Sequence, residues 1–108
     1  MPQYLIRFSY TPETWAKMID NPGDRTEPVR KLLGELGGTL HGYWFSFGEQ
    51  DGYVLTEVPD NVSAAAISVK VASSGALESV ETTVLITMEE MLEACRRASS
   101  LEYSPPGK

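Results

Sequence analysis

The stretch from Thr39 to Val58 constrains this chain most. Thr39–Ser46 and Gly52–Val58 each alternate along the chain in the period-2 pattern of a β-strand. Between them, Gly48-Glu49-Gln50-Asp51-Gly52 is polar and glycine-bearing, as a hairpin turn requires. With Phe47 set opposite Gly52, one face carries His41, Tyr43, Phe45, Val54, Thr56 and Val58. The other carries Gly42, Trp44, Ser46, Tyr53, Leu55 and Glu57. A one-residue slip in pairing would exchange these neighbours, because side chains alternate between faces. Both faces hold large apolar or aromatic groups, and a single layer of helices covers only one of them. A large uncovered apolar sheet face marks an interface. The expectation is therefore a homodimer whose sheets pack face to face, with a higher oligomer built from such dimers left open.

The flanking segments fit around this hairpin. Gln3–Ser9 alternates Tyr4, Ile6 and Phe8 with Leu5, Arg7 and Ser9, which predicts a strand. Thr11 then suits an N-cap and Pro12 the first helical position, opening a short helix through Trp15, Met18 and Ile19 that Asn21-Pro22-Gly23 breaks. Val29, Leu32, Leu33 and Leu36 fall on one face of a second helix, and Gly37-Gly38 supplies its left-handed stop. Asp60 caps a third, with Val62, Ala65, Ala66, Val69 and Ala72 expected to lie on the sheet. A strand follows within Ala76–Ile86. Thr87 and Glu90 have the spacing of a capping box, ahead of an apolar stripe of Met88, Met91, Leu92 and Cys95. The order is β-α-β-β-α-β plus a terminal helix. It predicts an α+β, ferredoxin-like sandwich with an antiparallel sheet. At 108 residues this is one domain, over residues 1–98, followed by a Ser/Pro/Gly-rich tail at 99–108 expected to be flexible.

Composition narrows the function classes. The net charge is −6 and no basic cluster is present, so nucleic acid is not an expected partner. The strand Gly52–Glu57 has one aromatic and no base, unlike the RNA-binding strand of a domain with the same element order. No apolar run approaches the ~20 residues of a membrane span, and the N-terminus lacks a basic region followed by a long apolar run. A reduced cytoplasm is the expected compartment. The single cysteine, Cys95, has no ligand or disulfide partner and reads as a buried, inert thiol. No metal or cofactor motif is present: there is one His, and Gly37-Gly38 and Gly48 do not form a phosphate cradle.

His41 is the natural candidate proton carrier, since its unperturbed pKa lies near neutrality, with Tyr43 and Thr56 placed beside it by the pairing above. Tyr10, Trp15, Tyr43, Phe45 and Thr56 are candidates to line a ligand pocket, with Trp44 a further aromatic. Core and interface packing would use the same aromatics. Asp51 and Glu49 could form an acid pair, but turn geometry explains them. Arg7, a charge in an apolar strand, is expected to pair with Glu57 or another acid across the sheet.

Particular strings carry a resemblance. They are Tyr4-Leu5-Ile6-Arg7-Phe8-Ser9-Tyr10-Thr11, Leu32-Leu33-Gly34-Glu35-Leu36-Gly37-Gly38, Gly42-Tyr43-Trp44-Phe45-Ser46-Phe47-Gly48-Glu49-Gln50-Asp51, and Glu57-Val58-Pro59-Asp60. Through these the chain resembles the GYD-domain family of small bacterial and archaeal proteins, over residues 3 to 97. The family's Gly…Tyr-Asp signature is kept at Gly48 and Asp51, while Gln50 stands where the Tyr would be. The resemblance implies a fold related to the dimeric α+β barrels and brings no catalytic residues with it. Two functions follow as expectations. One is a homodimeric binding or accessory protein with a largely apolar pocket between sheet and helices, holding a small organic ligand or none. The alternative is a cofactor-free isomerase or monooxygenase-like enzyme in which His41 moves the proton.

Overall fold

The computed structural model describes residues 1–107. Its elements are β1 (Gln3–Tyr10), α1 (Pro12–Asp20), α2 (Thr26–Glu35), β2 (Thr39–Phe45), β3 (Gly52–Glu57), α3 (Asn61–Ala72), β4 (Leu77–Leu85) and α4 (Met88–Ala98). The four strands make one antiparallel sheet in the order β2-β3-β1-β4. This is the ferredoxin-like α+β arrangement, with the first helical crossover split in two by Asn21-Pro22-Gly23.

Alternation along β1 sets the layers. Tyr4, Ile6, Phe8 and Tyr10 are all buried, and they join Val54 of β3, Val58, Leu33 of α2, and Ala64 and Ile67 of α3 in one core. Helices cover this face only. The opposite, open face presents Leu5 and Arg7 of β1, Tyr53 and Leu55 of β3, Leu85 of β4 and the exposed Trp44 of β2.

The caps read from the sequence are in place. Thr11 accepts from the Thr14 N–H, Asp60 from the Ser63 N–H, and Thr87 and Glu90 close a reciprocal capping box. α2 has no side-chain cap of its own, and Asp24 accepts from the Thr26 N–H just ahead of it. Gly37 takes φ +74° and Gly38 N–H returns to the Leu33 carbonyl, ending α2. Gly38 is also required sterically, since a Cβ there would lie 2.6 Å from the Glu57 carbonyl oxygen.

Several expectations are corrected. Phe45, not Phe47, faces Gly52. A shift of two residues leaves every side chain on its own face. A bulge between Leu40 and Gly42 does not: it makes His41 the extra residue, and its ring meets Glu57 on the open face, away from Tyr43. On α3 the buried residues are Ala64 and Ile67, while Val62, Ala65, Ala66 and Val69 face outward. Near-uniform apolarity along this helix hid which side was which. Cys95 is exposed rather than buried, because α4 stands off the body of the protomer with Met88, Met91 and Leu92 uncovered. The molecule measures 59 × 35 × 23 Å with a Cα radius of gyration of 17.6 Å. A compact chain of this size would have one of about 13 Å. Of the tail expected at 99–108, Lys108 lies outside the described residues.

Candidate functional site

The end of β1 nearest the hairpin turn gathers the aromatics. Phe8 and Tyr10 point to the helix side, β2 adds Tyr43 and Phe45 on the same face, and the first turn of α1 adds Trp15. Their rings interlock. Tyr10 meets Trp15 edge-on at 5.1 Å between centroids, Tyr43 meets Phe45 at 5.4 Å, and Phe8 lies 5.3 Å from Tyr10 and 5.9 Å from Tyr43. These are the tilted and edge-to-face separations that aromatic quadrupoles favour.

Asp51 latches the group. Its Oδ2 accepts from the Tyr10 N–H at 2.9 Å and the Trp15 indole N–H at 3.0 Å, and its own N–H donates to the Phe8 carbonyl at 2.9 Å. One turn residue thus joins β1, α1 and the hairpin. Sequence reasoning gave Asp51 only a turn role. Nothing local signals that its carboxylate reaches residues 36 and 41 positions away. Beside it, the Gln50 side-chain oxygen accepts from Ser9 Oγ at 3.2 Å, and Ser46 Oγ donates to the Gln50 carbonyl at 2.8 Å.

Next to the cluster, between the sheet and α1, α2 and α3, lies a cavity of about 680 Å³. Phe8, Tyr10, Tyr43 and Val54 form its sheet side, and Leu33 and Ile67 come from the helices. The charged, exposed side chains along it are Lys17, Asp20 and Arg25. The Tyr10 and Tyr43 hydroxyls are 3.4 Å apart. Burial, with the Tyr10 hydrogen bond second, holds the Tyr43 phenol well above the usual tyrosine range. Tyr43 is therefore a neutral hydroxyl at physiological pH, able to donate or accept but not to act as a base.

The sequence-derived candidates divide. Tyr10, Trp15, Tyr43 and Phe45 come together, with Tyr10 and Tyr43 on the cavity and Trp15 and Phe45 packed behind them. Thr56 is fully buried and donates to the Thr39 carbonyl at 2.9 Å, which ties β2 to β3. His41 stands on the far side of the sheet, half-exposed, with Nε2 2.7 Å from Glu57 Oε1. The His41 hydrogen bond is the main reason that the Glu57 carboxyl sits below its ordinary range. Arg7 pairs not with Glu57 but with Glu81 at 3.4 Å, and it bonds Thr83 Oγ1 at 3.3 Å. Among the described residues, no group of three or more His, Cys, Asp or Glu is placed to hold a metal ion, and no helix is long and apolar enough to cross a membrane.

A family model described as the GYD domain matches residues 4–95. The chain belongs to the GYD-domain family. No curated protein sequence matches this GYD-domain chain. Among solved structures it is similar to FFRP-DM1, at 18% identity and a TM-score of 0.52, covering 80% of this chain and all of that one. It is also similar to TTHA0845 from Thermus thermophilus, at 14% identity and a TM-score of 0.53, covering 81% of this chain and 95% of that one. At such identities the likeness speaks for the fold alone.

Proposed function

We propose that this GYD domain is a small-molecule-binding protein that works as a homodimer, and that its ligand occupies the cavity between the sheet and α1–α3. The observation that carries this reading is the cavity: about 680 Å³, apolar on the sheet side, with one hydroxyl pair at Tyr10 and Tyr43. Small-molecule sites commonly have a volume of ~300–1,000 Å³ and a few polar groups that fix orientation. Lys17 and Arg25 outnumber Asp20 along the same cavity, which favours a ligand that is mostly apolar and ends in an anionic group. The homodimer is supported by the open sheet face, where Leu5, Tyr53 and Leu55 have no covering layer.

The enzyme reading would route a proton through His41. That ring lies across the sheet from the cavity and does not line it, and its separation from the ligand space favours binding over proton transfer. The test is native mass spectrometry of the purified protein, followed by titration with medium-chain carboxylates while Trp emission is read. A retained mass, or saturable binding of one carboxylate per protomer that Tyr43→Phe weakens, is the expected result. No retained mass and no saturable change with carboxylates, matched amines or matched alcohols would overturn the proposal.

A further inference from the structure

The chain leaves a second apolar surface besides the open sheet face. α4 aligns Met88, Met91, Leu92 and Cys95 on one side, at the i, i+3, i+4, i+7 spacing of a packing stripe, and all four are exposed. Eleven residues are too few for a helix to be stable alone in water, where the threshold is ~12–15. Its ends are well prepared, with the Thr87 capping box and Glu89 and Glu90 at the start and Arg96 and Arg97 at the finish. Those features set direction and help hold the helix, but they do not cover the stripe.

Three observations say what covers it. Only Ile86 and Thr87 separate β4 from α4, and the capping box fixes Thr87, so the helix is held away from its own sheet. The polar side carries three glutamates against two arginines, and both arginines are already engaged by Glu93, which does not suit an anionic membrane or nucleic acid. The helix also leaves from the Leu85 end of β4. One row in from that end, past the Gln3, Glu57 and His41 group at its edge, the open face carries Leu5 and Leu55, whereas the other end is closed by Gln50 bonded to Ser9. A two-fold axis satisfies both surfaces at once, since each copy supplies one helix and one sheet face.

We infer that α4 is an exchanged arm: in the homodimer its Met88, Met91, Leu92 and Cys95 stripe packs on the second copy of the chain, over Leu5 and Leu55 of that copy's open sheet face. This rests on the homodimer reading and adds which segment crosses between protomers.

The test uses the full chain. Sedimentation equilibrium compares the protein with its Met91→Glu/Leu92→Glu double variant, whose substitutions lie on the protomer surface and leave the core intact. Losing two buried apolar side chains per protomer weakens dimerisation on the order of 100-fold or more. In parallel, Cys95 is timed against an aromatic disulfide reagent: slow where the dimer is populated, fast on dilution and in the variant. A dimer that keeps its affinity in the variant, with Cys95 freely reactive, overturns the arm and leaves the homodimer standing. A monomer at all concentrations overturns both. Cys95 protected to the same degree where sedimentation shows the monomer means that the helix folds onto its own protomer, which also overturns the exchange.

Discussion

Gly52→Ala tests whether the aromatic cluster is as tightly built as its ring spacings imply. Gly52 is buried in β3 beneath the Phe8 ring, and a Cβ there would lie 2.2 Å from Phe8 Cζ and 2.6 Å from Cε1. Tyr10, Tyr43 and Phe45 flank Phe8, and its one open side is the cavity, so the ring moves aside only by giving up those contacts. Overpacking of this kind costs ~1–3 kcal/mol. Against it stands a gain of ~0.4–1 kcal/mol from the smaller entropy of the unfolded alanine chain. The expected net loss is about 1–2 kcal/mol, or roughly 4–16 °C in Tm for a domain of this size. Gly42→Ala is the control. Its Cβ would meet the Trp44 indole at 2.1 Å, an equally severe clash, yet Trp44 is 54% exposed and free to swing aside. Its expected cost is within about 0.5 kcal/mol, with a shift in Trp emission instead. Urea unfolding of both variants at one protein concentration is the assay, since self-association of the kind proposed would make apparent stability depend on concentration. Phe8→Leu closes the cycle: if the ring is the obstacle, Gly52→Ala loses most of its cost in that background, with a coupling of ~0.5–3 kcal/mol. A Gly52→Ala variant as stable as the wild type, or one whose cost is unchanged by Phe8→Leu, would refute the tight cluster.

Two further outcomes follow from the latch and the open face. Asp51→Ala removes the acceptor of both the Tyr10 N–H and the Trp15 indole, with an expected loss of ~1–3 kcal/mol and a red shift in Trp emission on freeing Trp15; unchanged emission would show that Trp15 is held by packing alone. The Glu57 carboxyl is lowered in the folded state, chiefly by the His41 hydrogen bond, so its stabilising effect is fully present above the ordinary Glu pKa and is lost as pH falls through the lowered folded value. Glu57→Gln should therefore flatten the acid limb of the stability–pH curve below the ordinary Glu range, and an acid limb identical to that of the wild type would discount the pair.

Most of the architecture was legible because local signals agreed with one another. Period-2 alternation in β1 and β3, the caps at Thr11, Asp60 and Thr87, and the stop at Gly37-Gly38 each point to the same fold. The failures share a cause: each depended on something not encoded at the position itself. His41 changed face because of a bulge, and no residue between Leu40 and Gly42 announces one. α3 is apolar nearly all round, so its periodicity could not choose between Ala64–Ile67 and Val62–Val69. Cys95 lies on a true amphipathic stripe, yet amphipathicity says only that a helix needs a partner, not that its own chain supplies one. Within the site, Tyr10, Trp15, Tyr43 and Phe45 were grouped by type alone, whereas the Asp51 latch that positions Trp15 is a long-range contact invisible to spacing.

The hairpin turn links these results. The retained Asp of the family signature organises the helix side of the sheet by holding Tyr10 and Trp15, and the neighbouring Gln50 acts on the open side through Ser9. An aromatic side chain at position 50 would extend apolar surface over that end of the open face. Gln50 instead makes it polar, beside the Arg7–Glu81 pair. The aliphatic part of the face, Leu5 and Leu55, therefore lies between the Arg7–Glu81 pair on one side and the Gln3, Glu57 and His41 group on the other. Restoring the aromatic with Gln50→Tyr should strengthen self-association in sedimentation equilibrium and spread the contact toward Ser9, at the cost of that residue's hydrogen bond to the Gln50 amide.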